Sequence, residues 1–284
     1  MVTTYDKYSL CSENLLEVLQ GVFDILKLDA SLIVPAISGI EPSTFSPLAR
    51  VCIAAYSHCT PDESTSIIKV LNSNKLRRGA FIATIEGYAN KSYLPIVRFP
   101  AQRAYDDNKA ETMSAYENAA IKMFGIPGNV ANCVRYVIDE IVDNISEHSG
   151  SETGYICISG NIDSETLDVC IADNGKTLLG SYASSIDNEI DSDLEALQAA
   201  NRGISTKNLP NAENRGYGIS TSRNMLVTGL GGTFIMMSGE AIYLNSPNVR
   251  QFIQLPSGMC IRGTMVAIRI PYHNDKFNYI NYVE

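Results

Sequence analysis

The spacing of apolar residues predicts a long buried helix over residues 134–149. Glu140 and Asn144 are four residues apart in it, so they lie one turn above each other. Taken alone, the segment is also explained as an amphipathic helix with a solvated acidic face. The apolar positions recur every three or four residues, which places them on one helical stripe, and they are Val134, Val137, Ile138, Ile141, Val142 and Ile145.

The first 110 residues contain both helical and strand patterns. Apolar periodicity predicts helices over residues 12–27, 47–56 and 61–71, the first of them capped by Ser12. The short apolar run at residues 31–37 predicts a buried strand, with a strand end or an edge at Pro35. A last strand and a polar linker then place a boundary between residues 100 and 115. This order predicts a smaller α/β domain over residues 1–110.

Residues 111–284 predict a second domain, in which helices cover one face of a mixed sheet. Two of its strands form a hairpin, and a long polar stretch precedes its last helix. Besides the helix already described, the predicted elements are helices over residues 111–124, 192–201 and 215–230 and strands over residues 154–160, 166–172, 231–239, 240–245 and 263–271. The fold class expected for the whole chain is α/β (α+β).

Composition and charge narrow the classes of function. The chain has 284 residues and a net charge of −9, so it offers no basic surface, and nucleic acid is excluded as an expected partner. Neither a membrane helix nor a signal peptide is recognised, which predicts a cytoplasmic protein. The seven cysteines are scattered without a Cys-x-x-Cys pair, which predicts reduced and mostly buried thiols.

Four segments, in order along the chain, resemble the four sequence boxes of the GHKL superfamily of ATPases. They are the helix over residues 134–149, IADNG at residues 171–175, RGYGIS at residues 215–220 and GTMVAIRIP at residues 263–271. The superfamily includes gyrase, histidine kinases, heat-shock chaperones, mismatch-repair proteins and anti-sigma-factor kinases. The resemblance covers residues 119–272.

For residues 111–284 this resemblance implies a two-layer α/β sandwich of the histidine-kinase-like ATPase (Bergerat) type. It also implies an ATP lid at about residues 178–214. In the N-terminal part, VPAISGIEPSTFSPLARVCIAA at residues 34–55 is similar to the STAS domain of anti-sigma-factor antagonists. An N-terminal α/β domain of another type is the alternative.

The first box implies the chemistry of the site. Glu140 matches the general base of the family and Asn144 matches its Mg²⁺ ligand. An amide oxygen suits Mg²⁺, and a carboxylate one turn away suits phosphoryl transfer to a hydroxyl or to water. Asp143 and His148 match polar positions of this box. His148 either contacts a phosphate or is simply a cation at a helix end.

The other boxes imply contacts to ATP. Asp173 matches the carboxylate that accepts the adenine amino hydrogens, although an Asp before Asn-Gly is also a turn former. Gly175 lets the backbone pass close under the base, and the hydroxyl of Thr264 supports Asp173 through a hydrogen bond. Thr177 departs from the family, which has a second glycine there, so the hinge of the lid is in question. The third box implies a helix start that holds the triphosphate, formed by Arg215, Gly216, Tyr217 and Gly218.

The expected function is therefore that of a Mg-ATP-binding protein in bacterial signalling, either an ATPase or a serine/threonine kinase of the anti-sigma-factor type. The implied cofactors are ATP and Mg²⁺. A kinase that phosphorylates its own histidine is disfavoured, because His58 is followed by Cys-Thr-Pro, which breaks a helix. The alternative is a nucleotide-sensing interaction module without turnover. A protein regulator or phosphate acceptor is an expected partner, and a homodimer is considered because relatives often dimerise.

Overall fold

The computed structural model describes residues 15–40, 45–57, 61–72, 92–102, 106–183, 190–204, 218–273 and 276–282. These residues form a mixed α/β structure around one seven-stranded sheet. The helices are α1 (Leu15–Leu26), α2 (Ala30–Ser38), α3 (Pro47–Tyr56), α4 (Pro61–Leu71), α5 (Asp106–Phe124), α6 (Gly128–Asn144), α7 (Leu178–Tyr182), α8 (Asp193–Asn201) and α9 (Gly218–Asn224). Single π-helical turns continue α6 over Ile145–Ser149 and α9 over Met225–Gly229, and a short 3₁₀ helix spans Tyr279–Tyr282.

The sheet is antiparallel throughout its described strands. The strands are β1 (Val97–Pro100), β2 (Thr153–Asn161), β3 (Thr166–Asp173), β4 (Thr233–Gly239), β5 (Ala241–Asn245), β6 (Arg250–Gln254) and β7 (Ile261–Pro271). Their order is β1-β2-β3-β7-β4-β5-β6. The prediction of a mixed sheet is wrong, because short hairpins join β2 to β3, β4 to β5 and β5 to β6, and β7 runs against both of its neighbours.

One face of the sheet is covered by α5, α6 and α9. The predicted apolar stripe of α6 packs on alternate residues of β2 and β3, including Ile156, Ile158, Val169 and Ile171. The central helix is thus confirmed as a core helix. Its first 17 residues are α-helical, and the π turn adds five more before Gly150 adopts a left-handed conformation with φ 62° and ends it.

The opposite face of the sheet is covered by the N-terminal helices. Every residue of α3 is buried, and this helix lies on β2 and β3 with α1 and α4 around it. The sheet residues that share this second core include Cys157, Cys170, Ile235, Met237 and Met265. A helix that is buried on all sides must lie between other layers of the structure. The sheet therefore has helices on both of its faces.

The N-terminal predictions are partly confirmed. The helices over residues 47–56 and 61–71 agree with α3 and α4. The strand predicted over residues 31–37 is wrong, because this run is part of α2 and contains Pro35 within the helix. Ile33 and Ile37 are buried, four residues apart, while the three positions between them are exposed or half-buried. A short apolar run does not reveal whether its period is that of a strand or of a helix.

The predicted domain boundary at residue 110 falls inside α5, which begins at Asp106. Strand β1 pairs with β2, from Val97 opposite Ile156 to Pro100 opposite Thr153. Before α5, the described part of residues 1–110 contains four helices and strand β1, which belongs to the common sheet. The division into two domains and the likeness to a STAS domain stay predictions.

Two global expectations bear on the described residues. All five cysteines in the described ranges are free thiols, and all but Cys260 are buried, which agrees with the expected reduced thiols. Cys11, His58 and Cys59 lie outside the described residues. Within the described ranges, no helix combines the length and the apolar character that crossing a membrane requires.

Candidate functional site

A cavity of about 320 Å³ opens where α6 ends and its π turn begins. The end of β3, the short α7, the end of α8, the start of α9 and strands β4 and β7 form its other walls. This volume lies within the range of small-molecule sites, about 300–1,000 Å³. Seven of the residues predicted to form the site line this cavity, namely Glu140, Asp143, Asn144, His148, Asp173, Gly218 and Thr264.

The first wall of the cavity is the last turn of α6. Nδ2 of Asn144 donates a hydrogen bond to the backbone carbonyl of Glu140 at 2.6 Å. The amide group is thereby held in one orientation, and within the described chain its Oδ1 has no hydrogen-bond partner. An amide oxygen fixed in this way is available to a cation or a hydrogen-bond donor in the cavity.

The carboxylate of Glu140 lies between α6 and α9. Tyr136, one turn earlier on α6, donates a hydrogen bond to Glu140 and interacts in turn with Thr221 of α9. Gly218 lies directly against this carboxylate, because a Cβ at that position would overlap Oε2 of Glu140. Burial raises the pKa of Glu140, the bond from Tyr136 opposes the rise, and the negative charge of Asp143 adds to it.

Asp173 is only 1% exposed at the end of β3. Its Oδ1 accepts the backbone N–H of Gly175 at 2.8 Å, and its Oδ2 accepts the backbone N–H of Thr264 at 3.2 Å. Burial raises the pKa of Asp173 to about 7, and these two hydrogen bonds limit the rise. Each oxygen retains a second lone pair, so the carboxylate still has acceptor capacity toward the cavity.

The predicted role of the Thr264 hydroxyl is wrong, because its backbone N–H makes the bond to Asp173 instead. The hydroxyl lies 3.3 Å from Oγ of the buried Ser238. Ser238 also donates to the carbonyl of Gly263 and accepts the N–H of Leu178. It therefore links β4, β7 and α7 behind Asp173, a role that its position in a strand did not indicate.

Gly175 lies beneath the loop that follows α6. A Cβ on this residue would overlap the carbonyl oxygen of Ser149, and the next residue, Lys176, donates its N–H to that oxygen at 2.7 Å. The close approach at Gly175 is thus to the backbone of Ser149, and the expected passage of the backbone under a base stays a prediction. Gly175 is not among the residues that line the cavity.

Thr177 begins a helix. Its φ is −68°, a value that any residue adopts, and its Oγ1 accepts the N–H of Gly180 at 3.1 Å. A glycine cannot make this side-chain cap. The residue that departs from the family pattern therefore caps the short helix α7. Tyr182 of α7 packs with Ala196 and Ala199 of α8.

The described part of the expected lid is anchored to the sheet. Asp193, at the start of α8, accepts the backbone N–H of Glu240 at 2.9 Å, and Gly239 leaves room for that carboxylate. Residues 184–189 and 205–214 of the expected lid lie outside the described residues, as do Arg215, Gly216 and Tyr217 of the third box. Of that box, Gly218 and Ile219 line the described part of the cavity.

Charged residues line the cavity or contact the residues that line it. Nζ of Lys109, on α5, lies 2.9 Å from Oδ1 of Asp143 and 3.1 Å from Oγ of Ser146. Nε2 of His148 lies 3.8 Å from the carboxylate of Glu147. Lys176 also lines the cavity. Lys109 and Lys176 were not predicted, because one is distant in sequence and the other stands between two boxes.

The residues present fit a cation that keeps most of its own water. No group of three His, Cys, Asp or Glu side chains suited to a metal occurs within the described ranges. Mg²⁺ requires only one or two protein ligands when phosphate oxygens and water complete its octahedron, and Oδ1 of Asn144 can be one.

Replacing Gly263 by alanine is expected to destabilise the protein and to displace Asp173. Gly263 has φ 84°, and a Cβ there would overlap the backbone and the carboxylate of Asp173. We expect the free energy of unfolding, measured by urea denaturation, to fall by about 3 kcal/mol from backbone strain and crowding together. Gly258 is the matched control, since it has the same φ and no atom within 4 Å. Equal losses in Gly258→Ala and Gly263→Ala would contradict the close contact with Asp173.

The described residues form an α+β fold with an acidic, partly apolar cavity at the end of its central helix. Comparisons of the chain with protein-family models, with curated proteins and with solved structures find no significant match.

Proposed function

We propose that this chain binds Mg-ATP in the cavity at the end of α6 and transfers the γ-phosphoryl group to water or to a serine or threonine of a partner protein. The proposal includes membership of the GHKL superfamily and a Bergerat-type arrangement of residues 111–284. The observation that carries it is the meeting of four separate segments in one cavity: Glu140 and Asn144, Asp173, Gly218 and Thr264. These segments span more than 120 residues of the chain, and local spacing alone does not bring them together.

Asp173 is the proposed partner of the adenine amino group. The backbone N–H groups of Gly175 and Thr264 fix the carboxylate and leave acceptor positions on both oxygens. Apolar side chains next to it, Ile171, Met236 and Val266, line the same end of the cavity and suit a flat aromatic base. This half of the cavity therefore combines a hydrogen-bond acceptor with apolar walls.

Glu140 is the proposed general base at the other end. Its carboxylate takes the proton of the attacking hydroxyl while the new oxygen–phosphorus bond forms and the bond to the leaving ADP breaks. Tyr136 orients this carboxylate, and Gly218 leaves it the space that a side chain would fill. When bound at Asn144, Mg²⁺ would offset the negative charge of the phosphates.

Calorimetric titration of ATP with Mg²⁺ tests the binding step. We expect saturable binding to the wild type and binding at least about tenfold weaker in Asn144→Ala, because the variant lacks the fixed amide oxygen. Asn132→Ala is the matched control, since Asn132 is exposed on the same helix and outside the cavity. An absence of binding to the wild type would overturn the proposal, and equal affinities in both variants would remove Asn144 from it.

A second candidate function is a nucleotide-dependent interaction module without turnover. The observation that favours it is the anchoring of the described lid, in which Thr177 caps α7 and Asp193 fixes α8 to the turn between β4 and β5. Binding of ATP without any release of ADP would select this alternative.

A further inference from the structure

A second cavity, of about 580 Å³, lies between α9 and the turn that joins β5 to β6. It is open to solvent and is lined by Arg223 and Asn224 on one side and by Ser246, Asn248 and Arg250 on the other. No Asp or Glu occurs among the described residues that line it. In a chain with a net charge of −9, two arginines that share a cavity without a carboxylate are an unusual local excess of positive charge.

We propose that this cavity is a binding site for a phosphate group, separate from the cavity at the end of α6. Guanidinium groups present several N–H donors in a plane and bind phosphate oxygens in pairs. Hydroxyl and amide side chains around the two arginines supply further hydrogen-bond donors. The proposal does not depend on ATP binding at the first cavity.

Arg223 is held in place for such a role. Its Nη1 donates to the backbone carbonyl of Asn201 at 3.3 Å and to the side-chain oxygen of the same residue. Its guanidinium also lies 6.0 Å from the ring centre of Tyr243, which is itself stacked on Phe252. Asn201 engages only one of the guanidinium nitrogens, so donors of Arg223 remain for a ligand.

The two arginines line the same cavity, so their positive charges repel each other. Burial lowers the pKa of Arg223, and the positive charge of Arg250 lowers it further, against an opposite effect of Tyr243. Within the described chain, neither arginine forms an ion pair with a carboxylate. An anion between them would relieve this repulsion.

The turn between β5 and β6 offers a further donor on a rigid support. Asn245 and Arg250 are paired across the hairpin, and Ser246 and Val249 exchange backbone hydrogen bonds of 2.8 and 3.4 Å. Within the described ranges, the backbone N–H of Asn248 at the tip has no hydrogen-bond partner. The turn thus holds a backbone donor beside Arg250 without the ordering cost of a mobile loop.

Residue-resolved NMR titration tests this site. Inorganic phosphate is added to the ¹⁵N-labelled protein at constant ionic strength, and the amide signals of Ser246, Asn248 and Val249 are followed. We expect saturable shifts in the wild type and at least about tenfold weaker binding in Arg250→Gln, because one charged hydrogen-bonding group is lost. Arg250 is exposed, so its substitution should leave the fold intact, which circular dichroism checks. Arg262→Gln, an exposed arginine outside this cavity, should bind as the wild type does.

Two further titrations identify the ligand. O-phosphoserine should shift the same signals as inorganic phosphate, and a peptide that contains phosphoserine should bind more tightly than the free amino acid if the group is carried by a protein. Acetate that binds as tightly as phosphate would overturn the assignment of a phosphate. Shifts that do not saturate, or that are equal in the wild type and Arg250→Gln, would overturn the site. Signals near Asn144 report the first cavity separately, so the two proposals can fail independently.

Discussion

Replacing Glu140 by glutamine is expected to reduce ADP release at least about 100-fold while ATP still binds. Glutamine keeps the size of the side chain and one acceptor oxygen, but it cannot take the proton of the attacking hydroxyl. Binding should persist, because Asp173 and Asn144 provide the proposed contacts to the base and the metal. The measurement is a coupled assay of ADP release together with a calorimetric titration of Mg-ATP.

Glu152→Gln is the control for this prediction, since Glu152 is exposed and lies outside the cavity. Its rate of ADP release should equal that of the wild type. An unchanged rate in Glu140→Gln would remove Glu140 from the proposed base role. A wild type that binds ATP and releases no ADP would favour the interaction module.

Replacing Glu117 by glutamine is expected to stabilise the protein at alkaline pH. Glu117, on α5, is 4% exposed, and its Oε1 has no hydrogen-bond partner within the described chain. Burial raises its pKa from 4.5 to about 8; the charge of Asp139 adds to the rise and that of Arg135 opposes it. Between these two pKa values the folded state holds more protons than the unfolded state, so the free energy of unfolding falls as pH rises.

The loss of stability caused by the raised pKa of Glu117 is absent near pH 4. It is complete above pH 8, where the buried carboxyl group is charged. At pH 9, Glu117→Gln should therefore exceed the wild type in free energy of unfolding by up to about 4 kcal/mol, and at pH 4.5 the two should be similar. Urea denaturation at both values measures the difference. Glu111→Gln, at an exposed position of the same helix, should change stability little at either pH. Parallel pH profiles of Glu117→Gln and the wild type would contradict the buried, unpaired carboxyl.

Sequence periodicity predicted the elements in which the pattern of apolar residues is clear within a single helix or hairpin. The apolar stripe of α6 repeats with a clear helical period. Strands β2 and β3 are two apolar runs separated by an evident turn. The spacing that puts Glu140 and Asn144 on neighbouring turns is likewise local. Tyr136 lies one turn before Glu140, so the same spacing rule could have identified it as a neighbour of that carboxylate.

Other features depend on residues that are far apart in the chain. The direction of β7 between β3 and β4 and the helical rather than extended form of α2 follow from packing partners that the local pattern does not specify. Lys109 meets Asp143 from another helix, and Ser238 meets the Gly263 carbonyl from another strand. A hydrogen bond made by a backbone group, such as that of Thr264 to Asp173, leaves no signal in residue type.

The sequence by itself thus determined which residues of the central helix are buried and which two polar groups stand above each other, because helical spacing is fixed by backbone geometry. Only the tertiary structure decided that Asp173, Gly218 and Thr264 join them around one cavity and that the N-terminal helices cover the other face of the sheet. The physical reason is that an apolar face must be buried, but its residues do not determine which element covers it.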